Sequence, residues 1–218
     1  MGKVIVYSKV IKAIGASIIA FFAVSSIAQA ALLDFTKNPY IGDNGFIAGT
    51  TYSVSSVGGS LSWGQNQDGG TCVGLACQKD GLGVRDDEIS IGSEQIVIDF
   101  GTVVKITSFA FLDLFSSSNG NNRERASITY NGGSIFFDAL LTETPGGDSG
   151  FLNVGGLSIF TDKLVFTAGG SNDNIGIDDY ALAAVGVSAV PIPPALLMFG
   201  AALGGIGFIS RRKKIKSV

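Results

Sequence analysis

The chain has 218 residues, with fifteen Lys and Arg, eighteen Asp and Glu, two Cys and no His. That length allows one ordinary domain plus two apolar ends. The missing histidine excludes Ser-His-Asp and Cys-His catalysis and any imidazole metal site. Three basic residues precede Ala31 and five follow Ser210, so the middle keeps seven against all eighteen acids, a net charge of −11. Such a body is unsuited to nucleic acid, where Lys and Arg must replace phosphate counterions. It suits a soluble secreted or cation-binding surface.

Residues 1–30 carry Lys3, Lys9 and Lys12, an apolar run from Ala13 to Ile27, and the small-residue site Ala28-Gln29-Ala30. This is the layout of a secretory signal peptide, with cleavage at Ala28 and Ala30 and a mature chain from Ala31. Export makes a disulfide the default for Cys72 and Cys77, while two thiols without histidine do not complete a tetrahedral metal site. The sequence thus divides into a signal peptide at 1–30, an exported domain at 31–189 and a tail at 190–218.

Between Ala31 and Ala189 the hydrophobic period is two, with Gly, Asn and Asp clusters between short apolar runs, the mark of strands and turns. Phe46 to Val57 predicts one or two strands and Ser60 to Trp63 a short one. The polar loop Gly64 to Gly81 holds both cysteines. Glu94 to Phe100 alternates Ile96, Ile98 and Phe100 on one face; Gly101-Thr102 predicts a turn, and Val103 to Phe115 a further strand with both faces partly covered. Arg125 to Tyr130 directs Ala126, Ile128 and Tyr130 inward. Asn131-Gly132-Gly133 supplies a tight hairpin turn into Ser134 to Leu140. Phe151 to Val154, Leu157 to Phe160, Lys163 to Ala168 and Tyr180 to Val187 complete the set. The fold class expected is all-β, a β-sandwich of jelly-roll or Greek-key type, because α/β architecture needs helical crossovers that the pattern lacks.

Within this domain Trp63 reads either as half-buried packing or as a sugar-stacking platform, since an indole joins an apolar body to a polar handle. Asp86-Asp87-Glu88 and Asp173 with Asp178-Asp179 are the carboxylate clusters. They read as turn-forming and solvated, or alternatively as a loop calcium site, the one cofactor considered; neither has EF-hand spacing. The Gly/Asn loops at 119–122 and 144–148 do not precede helices and are not phosphate cradles.

The tail begins Val190-Pro191-Ile192-Pro193-Pro194-Ala195, continues through Phe199-Gly200, and has no charge from Pro191 to Ser210 before Arg211, Arg212, Lys213 and Lys214. About 20 residues at a helical rise of 1.5 Å span a hydrocarbon core of roughly 30 Å, so a transmembrane helix over 193–210 is expected. The basic stop places its end on the cytoplasmic side. The Pro-x-Pro signature, short Gly-rich apolar helix and basic stop resemble the PEP-CTERM sorting signal of Gram-negative bacteria. Val190, Pro191, Pro193, Ala195, Phe199 and Gly200 match its Val-Pro-x-Pro variant. Ile192 stands where the commonest version has Glu. The resemblance implies processing by an exosortase-type transpeptidase after signal peptidase, and a structural or adhesive role in an exopolysaccharide matrix. The segment Ile177 to Leu182 is similar to the closing strand of such exported proteins and of jelly-roll carbohydrate-binding modules. The leading expectation is therefore a non-enzymatic surface protein. A carbohydrate-binding module and a permanently membrane-anchored periplasmic protein are the alternatives.

Overall fold

The computed structural model describes residues 30–63, 72–117, 122–144, 148–170, 179–190, 199–200 and 202–203. The chain divides into two compact units, Gln29–Val190 and a second formed by Met1–Ala28 with Pro191–Val218. In the second unit only Phe199, Gly200, Ala202 and Leu203 are described, and they are helical; the rest of the helix expected over 193–210 lies outside the described residues. No helix among the described residues is long and apolar enough to cross a membrane.

The first unit is built of β-strands: β1 (Ala30–Asp34), β2 (Asn44–Ile47), β3 (Thr50–Val57), β4 (Leu61–Ser62), β5 (Gly83–Val84), β6 (Gln95–Leu112), β7 (Glu124–Tyr130), β8 (Gly133–Asp138), β9 (Leu152–Gly170) and β10 (Ala181–Ser188). Eight share one antiparallel sheet in the order β1-β10-β6-β9-β7-β8, with β3 on the N-terminal part of β6 and β2 beyond it; β4 and β5 pair separately. Turn chemistry fixes the local hairpins. Ala48 and Gly49 both adopt positive φ between β2 and β3, and Asn131-Gly132 joins Tyr130 to its partner Gly133. A two-residue connection of this kind matches the right-handed twist of the strands it joins.

Two expectations are corrected. Gly101-Thr102 does not turn the chain, and the three strands anticipated between 151 and 168 are one; β6 and β9 run 18 and 19 residues. Their pairing breaks twice instead. Phe100–Val103 stand against Asp162 alone, and further along Thr107 stands against Gly156, Leu157 and Ser158. Unequal residue counts bend a pair of strands and re-aim the side chains beyond. The first half of β6 thus pairs with β3 and the end of β9, and the second half with β10 and the start of β9. β1 and β5 also lie where no strand was anticipated.

The bend builds the core. Ile96, Ile98 and Phe100 from one half of β6 and Ile106, Phe109 and Phe111 from the other are buried in one cluster with Ile128, Leu164, Phe166 and Val185. Phe109 lies edge-on to Phe166 with ring centroids 5.7 Å apart and 6.2 Å from Phe137. Phe137 belongs to β8, three strands from β6 in the sheet order, a separation of roughly 14 Å at ordinary strand spacing were the sheet flat. The sheet therefore curls over its own core. The opposite side of β10 has a smaller cluster, in which Ala181, Ala183 and Ala184 join Ala110, Leu112 and Cys72. Truncating Phe109 to Ala empties the site where the two halves of the sheet meet. Urea denaturation should show a loss of about 3–5 kcal/mol, and a loss below 1 kcal/mol would contradict this placement.

Candidate functional site

Four of the described carboxylates, Asp87, Glu88, Asp113 and Asp179, come together at one end of β10. Leu82 and Leu182 exchange backbone hydrogen bonds of 3.0 and 2.9 Å, and Ile89 N–H donates to the Tyr180 carbonyl at 2.8 Å. Between these anchors the chain turns tightly: Val84 N–H donates to the Glu88 carbonyl at 2.7 Å. Gly83 is required there, because a Cβ would stand 2.1 Å from the Asp87 and Glu88 backbone. The turn brings Glu88 to Asp179, which precedes β10. Asp113 joins from the end of β6, where Leu112 is paired with Ala181. Burial, then the charges of Asp179 and Asp113, a hydrogen bond with Asp179 and the charge of Asp87 push the Glu88 carboxyl up to about 9. The Glu88 carboxyl thus keeps a proton at neutral pH, held in its hydrogen bond with Asp179.

Two clusters read separately in the sequence, Asp86-Asp87-Glu88 and Asp178-Asp179, are thus brought together through Asp87, Glu88 and Asp179. Asp113 escaped notice as a lone acid at a strand end; its positive φ of 54° suits the short Asp side chain. Asp86 is exposed and accepts the Glu88 N–H at 3.4 Å. Asp173 and Asp178 lie outside the described residues. Among the described residues no group of three or more His, Cys, Asp or Glu is arranged to hold a metal ion. The arrangement stores a proton.

Trp63 sits at the edge of the core. Its Nε1–H donates to the Phe35 carbonyl at 2.8 Å, its ring stacks on Tyr40 with centroids 5.2 Å apart, and the Lys79 Nζ lies 5.7 Å over it. Burial and the neighbouring Asp43 carboxylate raise the Tyr40 hydroxyl well above an ordinary phenol. The indole's polar handle and stacking surface are thus engaged within the domain, which favours packing over a sugar platform.

Cys72 and Cys77 form a disulfide with Cα atoms 5.9 Å apart. Their loop is held by a buried acid at the end of β1. Asp34, 4% exposed, accepts from Thr36 N–H at 3.0 Å, the Thr36 hydroxyl at 2.6 Å and Ala76 N–H at 3.0 Å. The Thr36 hydroxyl accepts from Cys77 N–H at 3.0 Å, and the Thr36 carbonyl accepts from Gln78 and Lys79 N–H at 3.1 Å. The loop is thereby pressed on the Ala-lined side of β10.

Of the expected processing sites, Ala30 is the first residue of β1 and Val190 follows β10 at the surface. Phe199 and Gly200 are helical. Ala28, Pro191, Pro193, Ala195, Arg211, Arg212, Lys213 and Lys214 lie outside the described residues. No protein-family model matches the chain, and no curated protein shows significant similarity to it.

Two measurements test this geometry. Folded Glu88 holds a proton up to pH about 9, whereas the unfolded chain releases it near 4.5. The folded state binds the extra proton between those values, so this group's contribution falls as pH rises through that window. Glu88→Gln should melt with the parent at pH 4 and progressively above it toward pH 9. A difference constant with pH would refute the shared proton. Asp34→Ala should cost about 3 kcal/mol or more, from buried donors left unmet at roughly 1–3 kcal/mol each. The Cys72→Ser, Cys77→Ser double variant should cost about 2 kcal/mol, because the closed loop is short. The reverse order in urea denaturation would place the loop's anchorage in the disulfide.

Proposed function

We propose that this chain is an exported, non-enzymatic surface protein, delivered to an exopolysaccharide-rich matrix where it has a structural or adhesive role. On this reading the protein is made by a Gram-negative bacterium, and a signal peptidase removes residues 1–30. The C-terminal helix holds the body at the inner membrane until an exosortase-type transpeptidase cuts near Pro191–Pro193. The two halves of the bent sheet then serve as the layers of a β-sandwich, the body that reaches the surface. The observation that carries the reading is the order of parts in the tail: Pro-x-Pro, an uncharged run to Ser210, then Arg211 to Lys214. A disulfide in an acidic, strand-built body supports it, because disulfides persist in oxidising compartments outside the cytoplasm. The body's net charge of −11 makes nucleic acid an unsuitable partner.

The carbohydrate-binding alternative draws less support, since the indole of Trp63 is occupied by Phe35, Tyr40 and Lys79. Mass spectrometry of the surface fraction tests sorting directly. The expected species begins at Ala31 and ends between residues 190 and 193. A surface protein retaining residues 195–218 would refute the sorting step, and its recovery only with membranes would favour a permanent anchor.

A further inference from the structure

β8 is the last strand of its sheet and pairs on one side only, with β7. The two-residue loop Asn131-Gly132 makes Tyr130 and Gly133 a hydrogen-bonded closing pair, and such pairs alternate along an antiparallel ladder. The far end keeps the same phase, where Ala139 N–H donates to the Glu124 carbonyl at 2.9 Å. Ile135 and Phe137 therefore direct their backbone groups to β7, whereas Ser134, Phe136 and Asp138 point theirs away from it. Among the described residues no backbone group of another segment meets them.

An exposed edge is normally blunted by Lys, Pro or a bulge. β8 has none of these: its pairing with β7 is unbroken from Gly133 to Asp138, and its sequence is Gly-Ser-Ile-Phe-Phe-Asp. Its one charge is cancelled, because Arg125 holds Asp138 through Nε at 2.6 Å and Nη2 at 3.2 Å. The same guanidinium lies 4.0 Å from the centre of the Phe136 ring, which is still 57% exposed. In a body of net charge −11 this edge is thus neutral, apolar and unprotected.

The edge is also its own complement. The three residues with outward backbone groups are symmetric about Phe136, so a two-fold axis there sets Phe136 against Phe136 of a second copy and Ser134 against Asp138. Every outward N–H and C=O then meets a partner. The Ser134 hydroxyl faces a carboxylate to which it can donate, and the partly buried Ile135 and Phe137 face each other on the core side. We propose that β8 is a self-association edge, on which a second copy of this chain pairs antiparallel and extends the sheet through Phe136. The pairing does not depend on the sorting reading, and it gives a structural role a physical form, bodies joined through their sheets.

The test is sedimentation velocity of the purified full chain in detergent, across micromolar concentrations, with folding checked by thermal melting. A concentration-dependent dimer is expected. Ser134→Asp should weaken it at least about fivefold, because the axis sets a like charge against Asp138 twice, whereas Ser134→Lys should hold or tighten it. The same two changes at the exposed Ser55, on β3 across the sheet, match the net charge and should leave the dimer unchanged. Phe136→Pro removes an outward N–H at the axis while sparing the β7 ladder, and should abolish the dimer. A chain that stays monomeric throughout would overturn the proposal. So would a dimer weakened as much by Ser134→Lys as by Ser134→Asp, or one indifferent to both, which is the result that association through the tail would give.

Discussion

Pairing between β6 and β9 is the constraint on which the rest of the domain depends. Side chains along a strand alternate faces, so Phe100 and Phe109, an odd number of residues apart, would point to opposite sides of an unbroken strand. Both are fully buried in the same cluster. The second break in the β6–β9 register resolves the conflict: Ile96, Ile98, Phe100, Val104 and Ile106 stay in phase across the first, and the inward parity changes only between Ile106 and Phe109, where uneven residue counts bend the pair. Gly155 and Gly156 sit on the β9 side of the second break, and Gly156 adopts a φ of 75°. With the bend, Phe109 can face Phe166 and Phe137, and β3, β7 and β10 have edges to pair with.

The body answers its excess of acid in two physical ways where carboxylates leave water. Asp34 remains a hydrogen-bond acceptor and is satisfied by donors from Thr36 and Ala76. Burial is tolerable because its oxygens regain in the protein the bonds lost from solvent. Glu88 meets other carboxylates instead, and holds a proton. The first solution ties a loop firmly through the donors of Thr36 and Ala76. The second makes the contact between the 83–89 turn and the start of β10 depend on a proton. Both lie beside β10, so its two flanks are joined to the domain by unlike electrostatics.

Much of the sheet was legible because its strands have one wet face. Ile96, Ile98 and Phe100 alternate against polar neighbours, as do Ala126 and Ile128, and Asn131-Gly132 specifies its hairpin. The long strands were not legible. Gly101-Thr102 and Gly155-Gly156 resemble turns in composition, and whether such residues end a strand or bulge within it is decided by the partner strand. β1 was hidden for another reason: Ala30 and Ala31 fit a small-residue cleavage site, and their strand character comes from β10 more than 150 residues away. The acids at 86–88 and 179 were visible singly. Their meeting depends on the Leu82–Leu182 bridge, and Asp113 had no neighbouring acid to mark it.

The surroundings of β10 explain why a strand of mostly small residues, with Leu182 its one large side chain, closes this domain. All eight of its residues are buried, so neither face is solvent-facing, and the disulfide loop lies on the side opposite the main core. A covering loop so close leaves room for Ala181, Ala183 and Ala184, where larger side chains would lift it from the sheet. The same limit holds within the ladder: a Cβ on Gly186 would stand 2.1 Å from the Ser108 Oγ. Small residues give β10 little apolar area of its own to bury at roughly 25 cal/mol per Å². Its place is therefore secured mainly by what surrounds it, namely the ladders to β1 and β6, the loop held by Asp34, and the Leu82 bridge. A strand of this kind docks well only after its surroundings exist, which suits the last strand of the body to be synthesised.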